Sequence, residues 1–211
     1  MRPLAALVFF FALSALAQES SQSADSTVAG VLAQSQWVAE AKQCPSDFAL
    51  RGARPDEPEA RDCSSEGACL AACGKGDGWS CYWLGIALNT RGAPEVTSET
   101  LYQQACKLGV SSGCTNRAAG ILVQNRESAS AQSCAARTFA LTCEREDPWG
   151  CTMYAYHLSE GIGVPKDPEL ALRALANSCR FGPDDEACAR ANAMRPSVLR
   201  QQKPPKSPEA Q

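Results

Sequence analysis

The chain has 211 residues, a formal net charge of -3 and twelve cysteines, and 45% of its residues are hydrophobic. This length is enough for one domain of ordinary size with extensions, and it allows a buried core. The nearly balanced charge provides no electrostatic attraction toward nucleic acid, so the composition argues against a nucleic-acid-binding protein.

The first 17 residues have the composition of a secretory signal peptide. One positive charge at Arg2 is followed by an apolar run over 4–13, and the letters ALA at 15–17 fit an A-x-A cleavage site. The apolar run is about ten residues long, whereas a helix that spans a bilayer needs roughly 20. We therefore predict an exported protein, periplasmic or extracellular, with no membrane span after signal cleavage.

Residues 18–62 are predicted to form a linker and an N-terminal capping helix. Residues 18–25 are polar and low in complexity, as flexible linkers are. Residues 26–43 carry apolar residues at helical spacing, which favours a helix that caps the open end of the following region. Residues 44–61 hold three prolines and seven charged residues, so this stretch is predicted to be a loop.

Export indicates that the cysteines form disulfides, because oxidising compartments favour them. Twelve cysteines permit six bridges. Four pairs recur along the chain, and their first cysteines are 33, 37 and 36 residues apart, a period typical of helical-hairpin arrays. The pairs are Cys73 with Cys81, Cys106 with Cys114, Cys143 with Cys151, and Cys179 with Cys188.

Apolar positions keep the same register as these cysteines. The position four residues before each first cysteine is largely apolar. In the first three units, a small residue stands four positions after the second cysteine and a large apolar residue stands seven positions after it, on the same helix face. The three sets are Cys69, Tyr102, Phe139 and Leu175; Gly85, Ala118 and Ala155; and Leu88, Ile121 and Leu158. Each unit is therefore predicted to be a helix, a loop and a second helix, with a cysteine pair at the junction to the next unit.

The spacing within a pair requires the chain to reverse. Residues eight apart on one unbroken helix lie roughly 12 Å apart, whereas a disulfide needs Cα atoms within about 7 Å. Gly109 and Gly113 in CKLGVSSGC supply a helix stop and a turn. Each bridge is thus predicted to tie the end of one unit to the start of the next.

The last full unit, GCTMYAYHLSEGIGVPKDPELALRAL from Gly150, resembles the Sel-one-like repeat (SLR) family, whose units read G-C, a short helix, G-x-G-V-x-x-D and an alanine-rich second helix. The cysteine spacing is most similar to the cysteine-rich bacterial branch, whose members are often labelled cysteine-rich β-lactamases. The resemblance covers roughly 63–194 and is degraded in the two preceding units. It implies an all-α fold, a TPR-like α/α solenoid of helical hairpins in a right-handed superhelix, that acts as an interaction scaffold.

The residues favour a non-catalytic interaction scaffold over two alternatives. The second hypothesis is weak penicillin binding or β-lactam hydrolysis, as reported for some members of the branch, but the sequence has no S-x-x-K, S-D-N or K-T-G motif and only one histidine, His157. The third hypothesis is a redox or assembly factor, for which the nearest pattern is Cys69-x-x-x-Cys73. No cofactor and no metal site are predicted, and no residue is assigned a catalytic role.

By analogy with the family, the first helix of each unit lines the concave face. The candidate binding residues there are Tyr82, Trp83, Asn116, Arg117, Met153, Tyr154 and His157. Aromatic and arginine side chains are favoured interface anchors, although each of these residues also fits a packing role. The predicted partner is an unknown protein or a cell-wall-related ligand, and the sequence indicates no oligomeric state.

Four cysteines lie outside the regular pairs, and they allow three connectivities. A bridge from Cys44 to Cys63 is favoured, because it would close the irregular loop. Cys69 and Cys134 occupy positions that are apolar in other units, which fits buried small hydrophobic residues. Residues 195–211 are rich in proline and are predicted to be a disordered tail, whose lysines are a candidate contact to the wall or to a partner.

Overall fold

The computed structural model describes residues 25–48, 63 and 65–202, and these residues form eleven helices and no strand. The predicted signal peptide, most of the predicted linker and loop, and residues 203–211 lie outside this part of the chain. In order, the helices are α1 (25–32), α2 (Ser35–Glu40), α3 (Pro45–Phe48), α4 (Glu66–Gly74), α5 (Gly78–Thr90), α6 (Glu95–Lys107), α7 (Ser111–Gln124), α8 (Ala129–Glu144), α9 (Pro148–Glu160), α10 (Pro168–Asn177) and α11 (Glu186–Gln201).

The helices confirm the predicted all-α class. From α4 to α11, each helix packs against the next one in the chain, and α9 also contacts α7 and α11. The units that the cysteine register predicts correspond to three hairpins, α5 with α6, α7 with α8, and α9 with α10, preceded by α4 and followed by α11. None of the described helices is long and apolar enough to cross a membrane.

The four regular cysteine pairs are disulfides, and each joins the end of one unit to the first helix of the next. Their Cα atoms are 4.3 to 4.8 Å apart. The chain reverses between the two cysteines, and in three of the four joints an aspartate then begins the next helix. Asp77, Asp147 and Asp185 accept hydrogen bonds from backbone N–H groups in the first turns of α5, α9 and α11, which satisfies donors that a helix leaves open.

The positions that follow the cysteine register form most of the core between the hairpins. Phe139, Leu175 and Leu158 are fully or almost fully buried, and so are the small residues Ala118 and Ala155. Large side chains on the second helices thus pack against small residues on the first helices, which allows the helices to approach closely. Ile121 and Cys69 are half-buried and depart from this pattern.

The N-terminal segment is not a single capping helix. Residues 25–48 form α1, α2 and α3, of which α2 packs against α6 and α3 packs against α6, α7 and α8. This segment therefore crosses three helices of the array.

The irregular cysteines correct the sequence-based pairing. Cys44 is bonded to Cys134 and Cys63 to Cys69, so the expected bridge between Cys44 and Cys63 is wrong, and Cys69 and Cys134 are not unpaired hydrophobic residues. The reason is that the N-terminal segment folds back over the array, which brings Cys44 against α8. All twelve cysteines are then oxidised, which indicates an oxidising, exported environment.

The last helix also extends further than predicted. α11 continues to Gln201 through Pro196, whereas the disordered tail was expected from residue 195. Val198 explains the extension, because its side chain is 1% exposed and belongs to the core of the last hairpin. Burial of this side chain outweighs the loss of one backbone hydrogen bond at the proline.

Candidate functional site

A cleft of about 390 Å³ lies between α7 and α9, the first helices of two successive hairpins. Its size is in the range of ordinary ligand sites, roughly 300–1,000 Å³. Most of its walls are apolar. The lining consists of Ala119, Leu122 and Val123 on α7, Arg126 in the turn after it, Gln132 on α8, Met153, Tyr156 and His157 on α9, and Ile162 in the loop after α9.

Two backbone hydrogen bonds hold Ile162 at this cleft. α9 ends at Gly161, which has the left-handed φ of 73°, and the N–H groups of Gly161 and Ile162 both donate to the carbonyl of His157, at 2.8 and 3.0 Å. The imidazole Nδ1 of His157 lies 2.7 Å from the carbonyl oxygen of Ile162. His157 therefore binds the loop at the end of the cleft through both its main-chain carbonyl and its side chain.

His157 lies below the surface of the cleft as a neutral base. Its side chain is 0% exposed, and the ring of Phe139 packs against it at 5.2 Å between centroids. Burial lowers the pKa of His157, although the hydrogen bond to Ile162 opposes this shift. Because a carbonyl only accepts, Nδ1 carries the proton, and Nε2 is left as an acceptor. Nε2 is buried and has no hydrogen-bond partner among the described residues.

The rim of the cleft exposes apolar side chains and one cation. Val123 is 72% exposed and Tyr156 is 44% exposed, which are high fractions for large hydrophobic residues on packed helices. The exposed side chain of Arg126 lies beside them and forms no ion pair with any residue that the structure describes. Gln132 fixes this turn, because its Nε2 donates to the carbonyl of Arg126 at 2.8 Å.

Of the seven predicted binding residues, only Met153 and His157 line this cleft. Tyr82 and Trp83 instead pack against the core of the first hairpin, with their ring centroids 5.2 Å apart. Tyr154 is half-buried against the cores of the later hairpins. The first helices thus carry these residues as predicted, but only part of the set lies together.

Arg117 and Asn116 contact other parts of the protein. Arg117 is buried, and its Nη1 donates to a carboxylate oxygen of Glu99 at 2.7 Å, while Nε and Nη2 donate to the carbonyl of Ala41 at 2.9 and 2.6 Å. It therefore attaches the N-terminal segment to α6 and α7. Asn116 hydrogen-bonds to the side chain of Tyr102.

Glu99 is a buried acid whose pKa is strongly perturbed. Burial raises the pKa of Glu99 to about 7, although the charge and the hydrogen bond of Arg117 act in the opposite direction. Gly120 allows the carboxylate to lie there, since a Cβ at this position would overlap the carboxylate of Glu99. The pair joins α6 to α7 and to the N-terminal segment. Neither residue belongs to the lining of the cleft between α7 and α9.

Sequence reasoning missed most of the cleft. Val123, Arg126, Tyr156 and Ile162 are not among the candidates that the family analogy selects on the first helix of each unit. One signal was present: the run ILV at 121–123 supplies more consecutive apolar residues than one helix face can bury. No cluster of three or more potential metal-binding side chains occurs in the described parts of the chain.

Comparison with known proteins adds no relative. No family model matches the chain, and no curated protein and no solved structure is significantly similar to it.

Proposed function

We propose that this chain is an SLR-type interaction module, exported to the periplasm or the extracellular space, that binds a partner peptide in the cleft between α7 and α9. One observation carries the proposal: Val123 and Tyr156 expose large apolar surface at the edge of an apolar cleft. Clustered exposed apolar side chains are typical of interaction sites rather than of ordinary surface. The resemblance to SLR proteins supports the same conclusion, because it implies an interaction scaffold.

Binding fits the chemistry of the cleft better than hydrolysis does. The described lining holds no serine, threonine, cysteine or carboxylate side chain. His157 is enclosed below the surface, and its Nδ1 is already engaged with Ile162. A hydrolytic mechanism needs a nucleophile within hydrogen-bond reach of a base, so the observations favour recognition of a partner.

A peptide-display selection tests the proposal. The protein is produced in an oxidising host, and peptides enriched on it are measured again with the V123D variant and with V96D as a matched control. Val96 is also an exposed valine, 46% accessible, but it lies on α6 outside the cleft lining. A charge among the apolar side chains of an interface is costly to bury, so we expect V123D to weaken the enriched peptides at least about tenfold and V96D to leave them unchanged.

Two results would contradict the proposal. One is a selection that enriches no peptide over an unrelated disulfide-bonded protein. The other is a set of peptides that bind V123D as tightly as the unmodified protein.

A further inference from the structure

The apolar surface of the cleft continues along α9 to the start of that helix. Met153 and Tyr156 stand four and seven residues after Trp149, so the three side chains lie on one face of α9. Trp149 is 40% exposed and Tyr156 is 44% exposed, while Met153 between them is half-buried and lines the cleft. These side chains form an apolar stripe that is open to solvent along its length.

The floor of the cleft offers apolar surface that a ligand can reach. Leu122, Met153 and Ile162 are half-buried, so each exposes part of its side chain. Met153 carries a flexible thioether, which adapts to irregular shapes and makes favourable contacts with aromatic rings. His157 is wholly enclosed, so it supports the loop and is not available to a ligand. The cleft therefore selects for a large apolar side chain, such as that of phenylalanine, whose burial removes apolar surface from water.

The rim adds a preference for negative charge. Arg126 is the one charged side chain in the described lining of the cleft, and it forms no ion pair with any residue that the structure describes. Two exposed acids are near it or near Tyr156 in the sequence, Glu127 and Glu160, but neither lines the cleft. A guanidinium in this position complements a carboxylate on the ligand. Because the contact is exposed to solvent, we expect it to contribute only a few-fold in affinity.

The length of the stripe sets the spacing of the side chains that it can bind. The seven residues from Trp149 to Tyr156 correspond to about 10.5 Å along α9. A peptide in the polyproline II conformation rises about 3.1 Å per residue and has three residues per turn, so its first and fourth side chains point to one side about 9 Å apart. Apolar residues three positions apart therefore match the distance from Trp149 to the cleft. A carboxylate next to the residue in the cleft then lies at the Arg126 end.

We propose that the cleft and the α9 stripe bind an extended peptide that carries two large apolar side chains three residues apart, one at Trp149 and one in the cleft, with a carboxylate beside the second one at Arg126. This inference rests on the proposed peptide-binding function and names the class of peptide. The spacing and the charge correspond to different side chains of the protein, so each can be tested separately.

Synthetic peptides test the ligand side in both chain directions. FPPFD and DFPPF, acetylated and amidated, are titrated into the labelled protein, and the NMR signals of the Val123, Met153 and Ile162 methyl groups and of the Trp149 indole N–H are followed. We expect one direction to bind, and its lysine version, in which lysine replaces aspartate, to bind a few-fold more weakly. Versions with one or three prolines should bind about tenfold more weakly, because only one phenylalanine keeps its contact.

Three results with these peptides would overturn the proposal. The carboxylate is wrongly assigned if the aspartate and lysine versions bind equally. The contact at Trp149 is wrongly assigned if the number of prolines has no effect. The whole class of peptide is wrong if neither chain direction binds.

Protein variants then assign each preference to a side chain. Arg126→Glu should reverse the charge preference, so that the lysine version binds more tightly than the aspartate version. R190E is the matched control, since Arg190 is an exposed arginine on α11 outside the cleft lining. Trp149→Ala should remove the preference for two prolines, whereas F181A should keep it, because Phe181 is an exposed aromatic residue outside α9 and the cleft. If W149A does not fold, the proline series on the unmodified protein still decides the question.

The two proposals fail in different ways. If the displayed peptides depend on Val123 but do not share two apolar residues three positions apart, for example because a helix with apolar residues seven apart binds instead, the peptide class is wrong and the peptide-binding function stands. If no enriched peptide depends on Val123, both proposals fall.

Discussion

Glu99 and Arg117 form an ion pair that is almost wholly enclosed, with side chains 10% and 7% exposed. Burial of two charges costs more than their attraction returns unless every remaining donor and acceptor is satisfied. Arg117 meets this condition, since it bonds both to Glu99 and to the Ala41 carbonyl. Glu99 accepts one of these hydrogen bonds, but desolvation outweighs it and raises the pKa of Glu99 to about 7.

This shift predicts a pH-dependent stability that Glu99→Gln removes. The folded-state pKa lies above the ordinary value of 4.5, so the folded protein holds the proton more tightly than the unfolded chain does. The contribution of Glu99 is therefore present in full below pH 4.5 and is lost as the pH rises through 7. We expect E99Q to match the original protein at pH 4 and to be more stable by about 3 kcal/mol at pH 8.

Denaturant unfolding at a series of pH values measures this difference. The exposed Glu127 on the α7 to α8 turn provides a control, and E127Q should keep the pH profile of the original protein. If the stability of E99Q and that of the original protein change with pH in the same way between pH 4 and 8, the pKa of Glu99 is not raised and the prediction is wrong.

Gly161 and Gly163 allow a second comparison of single residues. Both have left-handed φ angles, 73° and 66°, but a Cβ on Gly161 would meet nothing closer than 3.4 Å, whereas one on Gly163 would overlap the backbone of Gln132. Gly161→Ala should therefore cost about 1 to 2 kcal/mol, the usual penalty of this conformation. Gly163→Ala should cost clearly more, because α8 must also move.

Thermal unfolding of the two alanine variants gives the comparison, and NMR shifts of the Ile162 methyls report on the cleft. We expect G163A to disturb these shifts, since Ile162 lies between the two glycines and lines the cleft. Equal losses of stability in G161A and G163A would contradict the close approach of Gly163 to α8.

Sequence patterns predicted buried apolar residues better than they predicted polar ones. Phe139 and Leu158 follow the cysteine register and are buried as that register requires. Arg117 and His157 are predicted on a binding face by family analogy, yet both are enclosed by partners far along the chain or in a neighbouring loop. A partner such as the Ala41 carbonyl, 76 residues away, leaves no local pattern in the sequence.

At the scale of helices, a buried hydrogen bond and a disulfide are among the long-range attachments that hold the N-terminal segment. Arg117 binds the carbonyl at the end of α2, and the disulfide Cys44–Cys134 joins the residue before α3 to α8 across 90 residues. The hairpins were predictable because each makes local contacts that recur with a fixed period. The fold-back of the N-terminal segment was not, because it occurs once and depends on contacts between distant residues.

The length of this connection predicts that Cys44–Cys134 stabilises the protein more than Cys63–Cys69 does. In the chain-entropy model, a bridge that closes about 90 residues contributes about 4 to 5 kcal/mol, against about 2 kcal/mol for one that closes six. The double variant C44S/C134S should therefore lose more stability than C63S/C69S. Its amide protons in α2 and α3 should also exchange faster, while those of α9 and α10 stay protected.

Urea unfolding and hydrogen exchange measured on both double variants provide the test. If C63S/C69S is the more damaging change, the N-terminal segment is held by its packing on α6 rather than by its covalent link.

The molecule as a whole is an array in which helices contact mainly their neighbours, so no single large core holds it together. Most of the buried apolar residues of the described chain fall into three clusters. In such an array the stability of each junction matters, because a weak junction separates the units on either side of it. The regular disulfides lie at these junctions and join α4 to α5, α6 to α7, α8 to α9, and α10 to α11.

Reduction of the disulfides is therefore expected to leave the protein largely unfolded at physiological temperature, so that no cooperative melting transition is observed. Loss of a native disulfide from a small exported domain typically costs 2 to 5 kcal/mol, which is a large part of an ordinary total of about 5 to 15 kcal/mol. Circular dichroism melts with and without a phosphine reductant measure the effect, and peptide mapping without reduction checks that Cys106 is joined to Cys114. The same fold should form in an oxidising compartment and fail in a reducing cytoplasm. A reduced protein that still melts cooperatively within a few degrees of the oxidised one would show that the helix contacts alone hold the array.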